Sequence, residues 1–176
     1  MEIKDMKKII IASVLTLIAS TATAEEAASA DTSFSGLYLG GGLSYNNLDF
    51  GSVVSGASNK TATGFQLFAG LPLSNAISGI KTYAELGLFQ TNKFSFSSGS
   101  DDVKGISGSV VLEKDLSEID PRFYALARLG LEVGDDDGIL MGIGAGFRVT
   151  PKVELRAEFV NKDLITSYQA NALIRF

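Results

Sequence analysis

Ten charged side chains hold most of the chemical potential of this sequence. Glu85, Glu113, Glu132, Glu154 and Glu158, with Lys81, Arg128, Arg148, Arg156 and Arg175, each occupy an alternate position in a stretch otherwise built of apolar residues and glycines. A carboxylate pair such as Glu154 and Glu158 could divide acid and base work between its members. Arg156 lies between them, two residues from each, and on an extended strand all three share one face. That arrangement reads as an ion network rather than a hydrolytic pair. The chain has no histidine and no cysteine, so the commonest general base, thiol chemistry, zinc sites and disulfides are all unavailable. No catalytic residue, cofactor-binding residue or metal ligand is therefore assigned, and a non-enzymatic protein without a cofactor is expected.

Two other motifs carry weaker signals. "GIGAGF" resembles part of a glycine-rich nucleotide loop, but its apolar residues recur at period two and no helix follows, which favours packing inside a strand. "GDDDG" places Asp135, Asp136 and Asp137 together, where a divalent cation could sit. Its ligand spacing is not that of a calcium loop, so a tight hairpin with solvated acids is expected, with Gly138 supplying an unusual backbone angle.

The elements that must position the charges follow from the same parity. Rows of alternate apolar residues run through Leu37–Tyr45, Phe65–Leu71, Thr82–Leu88, Ile106–Leu112, Phe123–Val133, Ile139–Val149, Val153–Phe159 and Tyr168–Phe176. Period two is the mark of a strand with two unlike faces, and there are eight such runs. Pro72, Pro121 and Pro151 all fall in connections at one end, where a missing backbone donor does no harm. Eight strands in up-and-down order can close into a barrel and leave no edge.

Closure allows two solvents. In a soluble lipocalin-like barrel the apolar rows face inward; in an outer-membrane barrel they face lipid. The opposite rows contain Gly40, Gly42, Gly130, Gly142, Gly144 and Gly146 together with the charges. Such residues make a poor water-facing sheet but fit a narrow lumen, so the apolar rows are assigned to lipid. Strands of about ten residues also span the membrane when tilted.

The N-terminal region gives the route. Lys7 and Lys8 precede the apolar run from Ile9 to Ala19, and small residues at Ala22 and Ala24 complete an A-x-A site. Residues 1–24 are expected to be a cleaved signal peptide, 25–33 a polar spacer and 34–176 the barrel; either Met1 or Met6 could be the start. Removing residues 1–24 takes the formal charge from −5 to −6, because three lysines and two acids are lost, and an acidic chain argues against nucleic acid as a partner.

"FSGLYLGGGLSY", "GIGAGFRVTPKVELRAEF" and the closing "NALIRF" resemble the small OmpA-like, or porin-like, outer-membrane β-barrel family over nearly the whole chain from residue 34. The resemblance implies an all-β, eight-stranded antiparallel transmembrane barrel in the outer membrane, in contact with its lipids and lipopolysaccharide, and monomeric. It also implies that Tyr168, Ile174 and Phe176 form the signal read by the outer-membrane assembly machinery, with periplasmic chaperones as further partners. Because the sequence stops at Phe176, the periplasmic cell-wall domain of larger relatives is not carried over. The expected role is structural or one of surface interaction, in the manner of adhesins and immune-evasion proteins, through two long loops, with Phe50, Phe94 and Phe96 as candidate contacts for a host or surface ligand. The alternatives are a narrow pore or carrier for small solutes, and a soluble periplasmic ligand-binding barrel. Within the lumen, Arg128 and Arg156 are expected to pair with Glu85, Glu132 and Glu158 as a closing layer.

Overall fold

The computed structural model describes residues 35–48, 60–74, 77–96 and 99–176. The expected signal peptide, the spacer and Phe50 lie outside the described residues. Eight strands form the barrel: β1 (Tyr38–Leu48), β2 (Lys60–Leu73), β3 (Lys81–Thr91), β6 (Lys104–Asp115), β7 (Phe123–Gly134), β8 (Gly138–Arg148), β9 (Val153–Asn161) and β10 (Ile165–Arg175). A short hairpin, β4 (Phe94–Phe96) with β5 (Gly99–Asp101), lies in the link between β3 and β6, which the sequence had suggested was only a polar loop. Every neighbouring pair in the barrel is antiparallel, and β1 pairs with β10 from Tyr38 opposite Arg175 to Leu48 opposite Ile165. Closure continues to the last residue, since the Phe176 N–H donates to the Leu37 carbonyl at 2.8 Å and the Phe176 carbonyl accepts from the Gly36 N–H at 2.8 Å.

Which row faces outward is plain from burial. Leu43 is 71% exposed and Ile143 65%, whereas Glu113 is 0% exposed and Arg156 2%. A water-soluble sheet would reverse that order, so the barrel carries its apolar belt outside and its charges inside. The soluble ligand-binding alternative, which needs an apolar interior, is thereby overturned. Tyr45, Phe159 and Tyr168 form an exposed aromatic band across β1, β10 and β9, with Phe159 and Tyr168 rings 5.3 Å apart. Phe176 is exposed at the opposite end. Such bands suit the two membrane interfaces.

Inside, aromatic rings pack directly against glycines. A Cβ on Gly70 would run into the Tyr38 ring, and one on Gly146 into the Tyr124 ring. The glycines of the lumen row therefore leave room for the large side chains opposite. Tyr38, Phe68, Tyr83, Val111, Tyr124, Leu126 and Leu173 fill the half of the lumen nearer the start of β1 and the end of β10. Leu173, which interrupts the polar row of β10, belongs to this cluster and is 1% exposed. The end that holds the first and last residues of the barrel is the periplasmic one, and the end with the two longest connections, 49–59 and 92–103, together with the tight β7–β8 and β9–β10 turns, is the cell exterior. At the outer end Leu48, Ala62, Phe94 and Ile165 pack together, with Val103 and Leu164 against them.

Candidate functional site: the charged lumen

The charged residues meet in three tiers. In the central tier Glu85 lies 2.6 Å from Arg128 and 2.9 Å from Arg156, while Glu158 lies 2.7 Å from each of the same arginines. Two acids and two bases thus alternate in a closed quartet whose members come from β3, β7 and β9. Strand parity points all four side chains inward, and register brings them to one level. The Tyr38 hydroxyl donates to Glu85 at 2.8 Å and the Asn171 amide to Glu158 at 3.2 Å. Arg156 also faces the Phe68 ring, 4.6 Å from its centroid. Its Nη1 has no hydrogen-bond partner, and the guanidinium as a whole gains from the ring face.

The periplasmic tier is built on Arg175. Its guanidinium makes two 3.0 Å hydrogen bonds to Glu154, donates to the Tyr83 hydroxyl at 2.7 Å and stands 3.5 Å from Glu113. The Tyr124 hydroxyl donates to Glu154 at 3.0 Å. Arg148 reaches Asp115 at 2.7 Å and Glu154 at 3.5 Å, and Lys81 meets Asp115 at 3.0 Å. Farther out, in the turn before β7, Arg122 hydrogen-bonds Asp120 and holds its carboxyl down to about 2.

The outer tier departs from expectation. Glu132 takes no part in the quartet; it pairs with Lys162 at 2.5 Å, and Lys162 sits 3.5 Å from the centroid of the Phe89 ring. Glu132 lies too far along β7 from Arg128, one tier up. Lys162 and Asp115 were both missed at the sequence level. Parity continued past Phe159 places Lys162 in the row of Glu154, Arg156 and Glu158, so the signal was present, although the residue falls in the turn. Burial lowers the affinity of Lys162 for its proton, and the Glu132 carboxylate opposes that effect. Between this pair and the quartet lies a cavity of about 20 Å³, bordered by Gln66, Glu85, Ser107, Arg128, Glu132 and Lys162. It has room for about one water molecule.

The remaining candidates fall into two groups. Tyr168, Ile174 and Phe176 lie on the outer face and are all exposed. Phe94 is fully buried, which removes it as a surface contact: its ring is spent on the apolar cluster at the outer end. Phe96 pairs with Gly99 in the hairpin. The "GDDDG" acids are not uniformly solvated either, since Asp136 is only 8% exposed. Gly138 is not among the glycines of positive φ; a Cβ there would lie 3.0 Å from the Asp163 Cβ, a tight approach that glycine relieves. Among the described residues no group of acids, histidines or cysteines could hold a metal ion.

An antiparallel eight-stranded barrel with an apolar exterior and a charged interior is the architecture of a small outer-membrane protein. The chain belongs to the outer membrane protein β-barrel domain family, whose profile matches residues 12–173, and it resides in the outer membrane. Its fold is similar to that of Neisserial surface protein A, at 16% identity and a TM-score of 0.55, over 81% of this chain and 98% of that one. It is equally similar to the attachment invasion locus protein of Yersinia pestis, at 15% identity and a TM-score of 0.55, over 81% and 99% of the two chains. A de novo designed transmembrane β-barrel matches at 14% identity and a TM-score of 0.52, over 81% and 97%. No curated protein sequence matches the chain.

Proposed function

We propose that this protein is a non-enzymatic outer-membrane barrel that acts at the cell surface through its outer loops, with its lumen serving as a plug. The observation that carries this reading is the central quartet: Glu85, Arg128, Arg156 and Glu158 pair with one another across the barrel, and the aromatic cluster fills the space beneath them. Continuous water would require those ion pairs to separate in a narrow, poorly hydrated lumen, which is costly. The names of the two natural structural neighbours, a surface protein and an attachment protein, support a surface role.

The choice of partner differs from one relative. The Yersinia protein forms a complex with a heparin analogue, sucrose octasulfate. Here the described residues at the outer end include the accessible acids Asp101, Asp102, Asp135, Asp137 and Asp163, against Lys60, Lys93 and Lys104. An acidic rim repels a sulfated polyanion, so a cationic or neutral surface is the better fit. Two measurements test the reading. In planar bilayers the purified protein should show no steady conductance; steady conductance would replace the plug with the narrow pore. Replacing the outer loops by short turns should abolish adherence to target cells while leaving the barrel folded, and unchanged adherence would remove the surface role.

A further inference from the structure

We infer that the lipid face of the barrel binds a phospholipid of the periplasmic leaflet, with its phosphate on Lys114 and an acyl chain in a trench that climbs across β7, β8, β9 and β10 to Leu43. Register builds the trench. Ala125 lies opposite Ala145, Ala145 opposite Ala157 and Ala157 opposite Ala170, so alanines on adjacent strands form one floor on the outward row. The next row toward the cell exterior is Ile143, Phe159, Tyr168 and Tyr45, and the next toward the periplasm is Phe123, Phe147 and Leu155. Large side chains therefore wall the floor on both sides. Two adjoining hollows of about 770 and 590 Å³ result, and they share Leu43, Ala157 and Ala170.

The rest of the belt is different. Ala84 on β3 lies between Leu71 and Val110, and Ala69 on β2 between Leu39 and Leu86, so each makes only a single dimple. The trench opens within the face already assigned to hydrocarbon, and left empty it would forfeit the dispersion contacts of every atom that lines it. A second copy of the chain is a poor occupant. The trench follows the hydrogen-bonding direction, and strands tilted by about 40° set it oblique to the membrane normal. A two-fold axis along that normal would lay the ridges of one copy across the trench of the other rather than along it. A flexible hydrocarbon chain follows the floor at any angle.

The ends of the trench select the leaflet. At one end Ala125 lies opposite Lys114, the last residue but one of β6, exposed on the outward row at the periplasmic end. Arg122 stands near this end too, its guanidinium 4.9 Å from the centroid of the Phe147 ring. At the other end the floor stops against Leu43, the middle residue of β1. The trench thus begins where the phosphates of the periplasmic leaflet lie and ends near the midplane, which is the course of one acyl chain of that leaflet. Toward the cell exterior, the outward rows beyond Phe159 and Tyr168 end on Asn161 and Thr166, which bond to each other and offer a phosphate no positive charge.

The inference rests on the outer-membrane assignment and on neither the surface role nor the plug. The full chain refolded in detergent micelles would be titrated with palmitoyl-oleoyl phosphatidylglycerol and read by native mass spectrometry. One lipid should bind saturably. Filling the floor by Ala145→Leu with Ala157→Leu, both on the exposed row, should abolish that binding. Ala84→Leu, the same enlargement outside the trench, should leave it unchanged. Lys114→Gln should weaken it about fivefold, the worth of one lysine at a membrane surface. The gel shift on boiling would verify that each variant is folded. Uptake without saturation, retention by the filled variant, an equal loss on Ala84→Leu or an unchanged affinity on Lys114→Gln would overturn the proposal. So would tighter binding of lipopolysaccharide, or a lipid-free dimer, that filling the floor abolishes.

Discussion

Each member of the quartet has two opposite charges within 2.9 Å, so removing one leaves two buried partners short. Replacing a buried ion pair by apolar groups can be neutral, but deleting one partner strands a charge. Arg156→Ala should cost about 3–5 kcal/mol of barrel stability. The double change Arg156→Met with Glu85→Met should cost less, and denaturant unfolding in micelles would compare the two. Asp136 gives a pH dependence of definite sign. Burial raises its proton affinity in the folded barrel, with Asp137 and Asp163 adding to the effect and Lys162 opposing it. A carboxyl with a raised folded pKa contributes most while protonated and loses that contribution as pH climbs from the ordinary carboxylate range through the raised value. Asp136→Asn should therefore flatten the fall in melting temperature over that window, relative to the unaltered chain.

At the level of elements, each strand is stabilised by two environments that tolerate different changes. Leu129 on β7 is 59% exposed to the surroundings and lies opposite Met141 and Val110, within the apolar belt. Leu129→Arg should cost about 2–4 kcal/mol in lipid, as a cation near the midplane does. Leu129→Met should be nearly silent in the same unfolding measurement. By parity alone Gly130→Ser should be the milder change. The packing argues otherwise, since a Cβ on Gly130 would come within 2.6 Å of the Ser109 Cβ and run into the Gly108 carbonyl. At β10, the backbone of Phe176 closes the barrel while its ring stays exposed. Phe176→Ser keeps those backbone bonds, so we propose that it lowers the yield of assembled barrel in cells more than the stability of barrels already folded. An equal loss of both would assign Phe176 a structural role only.

For the whole molecule, closure is the governing feature. Eight antiparallel neighbours leave the barrel sheet without a free edge, which is what lets a sheet remain in hydrocarbon. Such a barrel should persist in SDS until heated, and migrate at a different apparent mass before and after boiling. It should also stay with the membrane through alkaline extraction. Release by alkali without heating would contradict the lipid-facing assignment of the apolar rows.

Much of this was legible in one dimension because a strand has period two and the barrel has two unlike solvents. The parity of Glu85, Arg128, Arg156 and Glu158 predicted their common side, and the glycines opposite them predicted a crowded lumen. What parity cannot convey is height along the barrel axis, which depends on register between strands distant in sequence. That is why Glu132 was grouped with the quartet although it pairs with Lys162 one tier up. Nor does polarity reveal when a loop folds back: the segment after β3 looked like a polar link with accessible phenylalanines. Only tertiary packing against Leu48, Ala62 and Ile165 turned Phe94 inward, because an exposed ring gains from burial wherever an apolar surface lies within its reach.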